Sequence, residues 1–246
     1  MLDTIIVVPC FNEAGRLDVD AFRRFVATHA DVGFVLVDDG SADETLDVLA
    51  KLHDEDPRAF TIEVLEKNSG KAEAVRTGMN KAFALGARYA GYWDADLSTP
   101  LEQIPDFRAV FDRRPGTVAV LGSRVRRLGA DVRRDPLRHY LGRIFATLAS
   151  LVLGLPVYDT QCGAKMFRVR DDVKALFAEP FLSRWVFDVE ILARFRAACR
   201  RAGTSSAEGV FELPLDCWHD IAGSKLKGGH MIAALLDLLR IRRRYR

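Results

Sequence analysis

The chain has 246 residues, 49% hydrophobic and 28% charged, with a formal net charge of +2. This length supports one large domain or two small ones around a real core. The near-neutral balance excludes a general affinity for polyanions, and the basic stretches lack the interleaved aromatics of a nucleic-acid binder.

In chain order, "DTIIVVP" (Asp3–Pro9) is a β-branched run that reads as a buried strand. It starts three residues in, which leaves no room for a signal peptide. Asp18–Ala30 has helical spacing, and "VGFVLVDDGS" is a second strand ending in acids. "SADETLDVLAKL" carries Ser41 with Glu44 three residues later, the pattern of a capping box. "AFTIEVLE" is a third strand, "NSGKAEAVRTGMNKAFALG" a helix led and ended by glycine, and "ARYAGYWDAD" a fourth strand. Thr99–Arg113 reads as helix and "GTVAVLGSR" as a fifth strand. Strands alternating with helices predict an α/β fold, a mostly parallel sheet with helices on both faces.

The second half is less regular. Leu137–Leu153 is helical and apolar nearly all round from Arg143, "AKMFRV" is strand-like, and "SRWVFDVEILARFRAACRRAG" is a helix with a glycine stop. "VFELPLDCW" reads as strand and "GGHMIAALLDLLRIRRRYR" as an amphipathic helix with a basic end. The longest apolar run, Ile144–Val157, is too short to span a bilayer. Cys10, Cys162, Cys199 and Cys217 are widely spaced without a CxxC pair, which argues against a zinc site or disulfide framework and for a reducing compartment.

In open α/β sheets, ligands bind beyond the carboxyl ends of the strands. "PCFNE", "VDDGS" and "DAD" all lie at such ends. In "DAD", Asp94 and Asp96 stand two apart, on one face if the strand continues. Paired carboxylates suit a hard divalent cation, Mg²⁺ or Mn²⁺, with substrate phosphates; a solvated turn into a helix fits the same residues. Asp38 and Asp39 could bond a base or ribose, or make a turn. Phe11 could stack on a base and Glu13 reach a ribose, or both could sit in a plain loop. Gly70 before a helix, with Lys71 and Arg76, can hold phosphate, although neither GxxxxGK nor GxGxxG is present. Asp188 and Glu190 suit a helix N-terminus as well as a cleft. Ser123–Arg143 holds seven arginines against two aspartates, and Arg240–Arg246 five arginines and no acid. Both could be solvated faces, or meet phosphate or a membrane surface.

Taken in order, "VVPCFNE", "VLVDDGSADET", "NSGKAEAVRTG" and "DAD" resemble glycosyltransferase family 2, inverting enzymes of the GT-A fold. "GSR", "YDTQCGAKMF", "SRWVFDVEIL" and "CWHDIAGSKL" make the second half similar to the dolichyl-phosphate β-glucosyltransferase branch. The resemblance implies a single GT-A domain, with 1–122 as the nucleotide-sugar half and 123–246 as the acceptor half. It implies a UDP-glucose donor, a polyprenyl phosphate acceptor and work at the cytoplasmic face of a membrane, the chain being cytoplasmic and peripheral. Pro9, Phe11, Glu13, Asp38 and Asp39 would hold the nucleoside, and Lys71 would lie near the diphosphate. Asp94 and Asp96 would hold metal and diphosphate, Asp96 foremost. Arg124 and neighbouring arginines would receive the acceptor phosphate. Asp188 falls where relatives carry the acid of their "ED" motif and would be the base for a hydroxyl acceptor. The sequence departs from that branch in the "LSTP" after "DAD", in Phe11 for the commoner Tyr, and in showing no N-terminal membrane segment. The alternatives are a GDP-mannose donor, a soluble or glycan hydroxyl acceptor, and a sugar-nucleotide-binding protein without turnover.

Overall fold

The computed structural model describes residues 2–133, 136–219 and 229–246; for 136–139, 141 and 229–232 the backbone alone is described. Arg134 and Asp135 of the arginine-rich stretch lie outside the described residues, as does 220–228, which includes the second part of "CWHDIAGSKL".

Seven strands form one sheet. They are β1 (Thr4–Cys10), β2 (Val32–Asp38), β3 (Phe60–Val64), β4 (Tyr89–Tyr92), β5 (Ala119–Ser123), β7 (Lys165–Arg168) and β8 (Val210–Pro214). Their order is β3-β2-β1-β4-β7-β5-β8. β6 (Asp131–Arg133) and β9 (Cys217–His219) make a separate parallel ribbon. All neighbours in the large sheet are parallel except β7, which runs against both β4 and β5. "AKMFRV" is thus a strand of the second half inserted into the sheet of the first. One sheet therefore spans both halves.

The helices are α1 (Val19–Thr28), α2 (Thr45–Glu55), α3 (Lys71–Ala84), α4 (Ile104–Arg113), α5 (Pro136–Leu153), α6 (Asp171–Ala178), α7 (Phe187–Ala202), the single turn α8 (Ser206–Gly209) and α9 (Gly229–Tyr245). Along β1, Ile6 and Val8 pack on one side with Phe22, Leu49 and Phe107 from α1, α2 and α4. Ile5 and Val7 pack on the other with Val75 and Met79 of α3, Phe177 of α6 and Ile191 of α7. This two-residue alternation on a central strand seals both faces. A third cluster joins Phe145, Ala149 and Leu153 of α5 to Leu192 of α7 and Leu238 and Ile241 of α9. No helix among the described residues is long and apolar enough to cross a membrane.

Three sequence expectations are corrected. Ser41 and Glu44 form no capping box: α2 begins at Thr45 with Glu44 at its N-cap, and no side chain caps it. Ser41 Oγ instead accepts the Asn12 amide, across from the first loop. "DAD" is not in a strand, because β4 ends at Tyr92. β6, α6 and the single turn α8 have no counterpart in the expected elements; all three are short.

Candidate active site

The strand order reverses between β1 and β4: β2 and β3 lie to one side, β4 and β7 to the other. β1 pairs with β2 over its whole length but with β4 only as far as Val7↔Tyr92, and Trp93 makes the last bond, to Val7 O. Past that point a crevice opens, as expected at a topological switch. Pro9 lies beyond the last β1–β4 pair, where its missing N–H breaks no ladder. Among the described residues the non-glycine positions with positive φ are Asn12 (54°) and Leu97 (50°), in the loops after β1 and β4. Such strain concentrates where a loop is held for a purpose.

"PCFNE" is fastened by its backbone. The Glu13 and Ala14 amides donate to Thr45 Oγ1, and Asn12 exchanges bonds with Ser41 and Ala42. This leaves Phe11 41% exposed, a ring free to stack on a flat ligand. Glu13 Oε1 pairs with Arg16, while Oε2 is buried without a partner. Burial raises the Glu13 pKa despite Arg16, and Asp96 adds to the rise.

Asp39 is buried and uses both oxygens on the loop before α3, accepting Ser69 N at 2.7 Å and Gly70 N at 2.8 Å. Asp39, expected to help hold the nucleoside, thus also positions "NSGK". Burial raises its pKa, offset in part by those amides and by Arg184. Asp38 is buried too and accepts long bonds from Ser41 N. Gly70 (φ 92°) turns the chain into α3, and its open face lies against the Arg184 side chain.

From α3 the Lys71 Nζ reaches Asp94 Oδ1 at 2.5 Å. Burial works to lower the Lys71 pKa, but Asp94, and behind it Asp188 and Asp96, hold it above its ordinary value. The Asp94 carboxylate lies flat on Gly163, where an added methyl group would come within 2.0 Å of Oδ2. Asp96 Oδ1 accepts Ser98 N at 3.0 Å, and Ser98 O accepts His219 N. "LSTP" thus fixes Asp96 and ties it to β9, and Thr99 O takes the Trp93 indole N–H. Burial and then the Asp94 charge raise the Asp96 pKa.

Behind these acids lies a buried triad. Asp188 Oδ1 accepts Tyr92 Oη at 2.5 Å and Lys165 Nζ at 2.6 Å. Lys165 is 1% exposed and also donates to Cys162 O. Burial and Asp188 push the Tyr92 pKa well up. Asp188, expected as a base, is thus already engaged by two donors. Arg124 is also engaged: Nε and Nη2 clasp Asp159 at 2.7 and 2.8 Å, and the guanidinium lies over Trp218. Asp159 holds the Arg124 pKa up against the effect of burial. Arg124, expected to receive the acceptor phosphate, thus also links the end of β5 to the 158–161 loop.

Asp94, Asp96 and Asp188 face Lys71 and Lys165, which leaves one negative charge uncompensated. The donors of half-buried Asp94 and Asp96 are hard carboxylate oxygens two residues apart. That set fits a divalent oxygen-seeking cation. Among the described residues, a group of three metal-capable side chains stands elsewhere: Asp131, Cys217 and His219 on the β6–β9 ribbon. Cys217 is thus less isolated than its spacing implied, although Arg133 already bonds both Asp131 oxygens. Sequence reasoning missed Tyr92, Gly163, Lys165 and Arg184. "GAKMF" and "SRW" were in view, but burial and a partner at long range gave them their roles.

The family model described as glycosyl transferase family 2 matches residues 5–175. A dolichyl-phosphate beta-glucosyltransferase of Trichomonas vaginalis is 32% identical over 250 residues, covering 96% of this chain and 72% of that protein. The protein of the same name from Homo sapiens is 30% identical, covering 98% and 75%. Among solved structures, glucosyl-3-phosphoglycerate synthase from Mycobacterium tuberculosis, in complex with Mn²⁺, UDP-glucose and phosphoglyceric acid, superposes with a TM-score of 0.70 at 16% identity. It covers 98% of this chain and 80% of that one. At that identity the likeness speaks for the shared fold.

Proposed function

The chain belongs to glycosyl transferase family 2, and from that premise we propose that it transfers glucose from UDP-glucose to a polyprenyl phosphate, with inversion at the sugar. The observation that carries this reading is the crevice between β1 and β4. Around it Phe11 is exposed, one Glu13 oxygen is unpartnered, and Lys71 pairs with Asp94, two residues from Asp96. The names of the curated relatives favour a lipid phosphate acceptor and glucose. Residues 1–122 form the donor half and 123–246 supply most of the acceptor half, at the cytoplasmic face of a membrane.

Phe11 stacks on the base and Glu13 takes a ribose hydroxyl, while Pro9, Asp38 and Asp39 shape the floor beneath them. Lys71 in the first turn of α3 and Arg184, packed beside Gly70, face the diphosphate, where cation and helix N-terminus act in the same sense. Asp94 and Asp96 would hold a divalent cation, Mg²⁺ or Mn²⁺, which when bound neutralises the charge growing on the departing diphosphate. The acceptor oxygen attacks the anomeric carbon from the face opposite that leaving group. A phosphate monoester is largely a dianion at neutral pH, with a second pKa of about 6, so no general base need remove a proton. That agrees with Asp188 being held by Tyr92 and Lys165. The acceptor's charge is met by arginines beyond β5, of which the exposed Arg126 makes no ion pair with a described residue.

The test is a donor screen, UDP- against GDP-sugars, with Mn²⁺ or Mg²⁺ and a short polyprenyl phosphate. Turnover confined to UDP-glucose supports the reading. Preference for GDP-mannose, or transfer to a soluble sugar hydroxyl without the lipid, overturns it.

A further inference from the structure

The three-helix layer of α5, α7 and α9 carries two features that the donor crevice does not use. The first is a line of apolar side chains on α5. Tyr140 (69% exposed), Ile144 (59%), Leu148 (38%) and Leu151 (72%) recur at three- and four-residue spacing, one stripe of the helix. Neighbouring α9 shows Leu236 and Leu239, also exposed and one turn apart. The second is a pocket of about 220 Å³ where the far ends of the three helices meet. Leu151 and Gly154 form part of its wall, and Arg196, Arg200, Arg242 and Arg246 bring four guanidinium groups to it. None of these four guanidinium groups makes an ion pair or hydrogen bond with a described residue. The acid touched by the pocket's Tyr245 is Glu190, and Arg194 already neutralises it.

Arginines near helix C-termini can serve merely to balance the helix dipole. That accounts for Arg200 and Arg242, which lie in the last turns of α7 and α9. Arg196, in the body of α7, lays its guanidinium against Gly154 just past the end of α5, so it too meets a helix end; four full charges still exceed the roughly half-charge at each of three helix ends. Four unpaired guanidinium groups around one cavity are an anion receptor by charge complementarity. An apolar stripe ending at the same cavity through Leu151 is the pattern of a surface that lies in a lipid interface.

We propose that this face docks the protein on a bilayer of anionic phospholipid: the α5 stripe enters the interface and the arginine pocket takes a lipid headgroup phosphate. α7 carries Asp188 in its first turn and the pocket at its other end. Docking on this face would therefore lay the catalytic layer along the membrane, with the crevice at one end and the headgroup at the other. The use of the docking rests on the lipid-acceptor reading above; the docking itself does not.

The experiment is flotation of the full chain with vesicles of phosphatidylcholine alone or mixed with phosphatidylglycerol, at low and high salt. The variants are Arg196→Gln/Arg242→Gln and, separately, Ile144→Ser/Leu151→Ser. Circular dichroism checks the fold of each. The wild type should float with the anionic vesicles, with salt weakening it. The double arginine variant should lose roughly thirtyfold in partitioning, the equivalent of two basic residues at an anionic surface. The α5 variant, altered at exposed positions, should lose binding with its fold intact. Equal flotation on both vesicle types, no flotation on either, or unchanged binding by both variants overturns the proposal. Transfer to a short, water-soluble polyprenyl phosphate without vesicles is measured alongside. Its persistence in both variants separates a failure of docking from a failure of the catalytic reading.

Discussion

At the scale of single residues, the site rests on how Asp94 and Asp96 are held. Asp94 lies against Gly163 with no room for a methyl group. Gly163→Ala should therefore leave the fold in place, by circular dichroism, but swing the carboxylate away from its position. A displacement of about 1 Å near reacting atoms costs on the order of a hundredfold in rate, and kcat/KM should fall by about that factor. Arg184, against Gly70, should act on the donor alone. Arg184→Ala should raise KM for the nucleotide sugar about tenfold, as for loss of one charge-assisted contact, with KM for the acceptor unchanged. Asp96 and Glu13 both have raised carboxyl pKa values in the fold. Their burial thus favours the protonated forms, and the stability they lend is present at low pH and lost as pH rises through the raised values. A cation bound at Asp96 needs that carboxylate ionised and reverses its share of the loss. Melting temperatures with and without Mn²⁺ should differ more at neutral pH than in the carboxylate range, at about pH 4–5. An equal metal effect at both would contradict this charge state. The identity of these acids was legible in the sequence, because "DAD" and "PCFNE" follow strands. The tasks of Asp39 and Arg124 were not, since their partners lie about thirty residues away, at Ser69–Gly70 and Asp159.

At the scale of elements, β4, β7 and α7 are joined through Tyr92, Lys165 and Asp188. The antiparallel β7 brings Lys165 beneath Asp188, and the pair is buried. Asp188→Asn would leave the Lys165 ammonium without its counter-charge, which costs about 3–5 kcal/mol. The denaturant midpoint should fall accordingly, while the pH profile of kcat/KM keeps its shape, since Asp188 removes no proton. Loss of the acidic limb of that profile with an unchanged midpoint would restore Asp188 to the part of base. Element identity was largely readable: β-branched runs and 3.6-residue periodicity placed every long helix and all but the short β6 strand. What periodicity cannot carry is direction and end point. Nothing in "AKMFRV" tells that it enters the sheet antiparallel, and β4 ends at Tyr92 because its partner β1 parts from it there.

At the scale of the whole molecule, two layers divide the work. The parallel part of the sheet brings four loops to one crevice, as alternating strands and helices predict. The layer of α5, α7 and α9 from the second half backs the crevice and carries the exposed stripe and arginine pocket. The sequence showed the apolar helix and the basic end separately; their meeting at one cavity is a tertiary fact. The central claim is hexose transfer to a lipid phosphate through Asp94 and Asp96. Its most direct test is the product formed from UDP-glucose and a short polyprenyl phosphate with Mn²⁺, its mass and anomeric configuration read by mass spectrometry and NMR, for wild type and Asp96→Ala. A β-linked glucosyl phosphate from the wild type, absent from the variant, is the predicted result. An α-linked product, hydrolysis of UDP-glucose with no lipid product, or an undiminished yield from Asp96→Ala would contradict it.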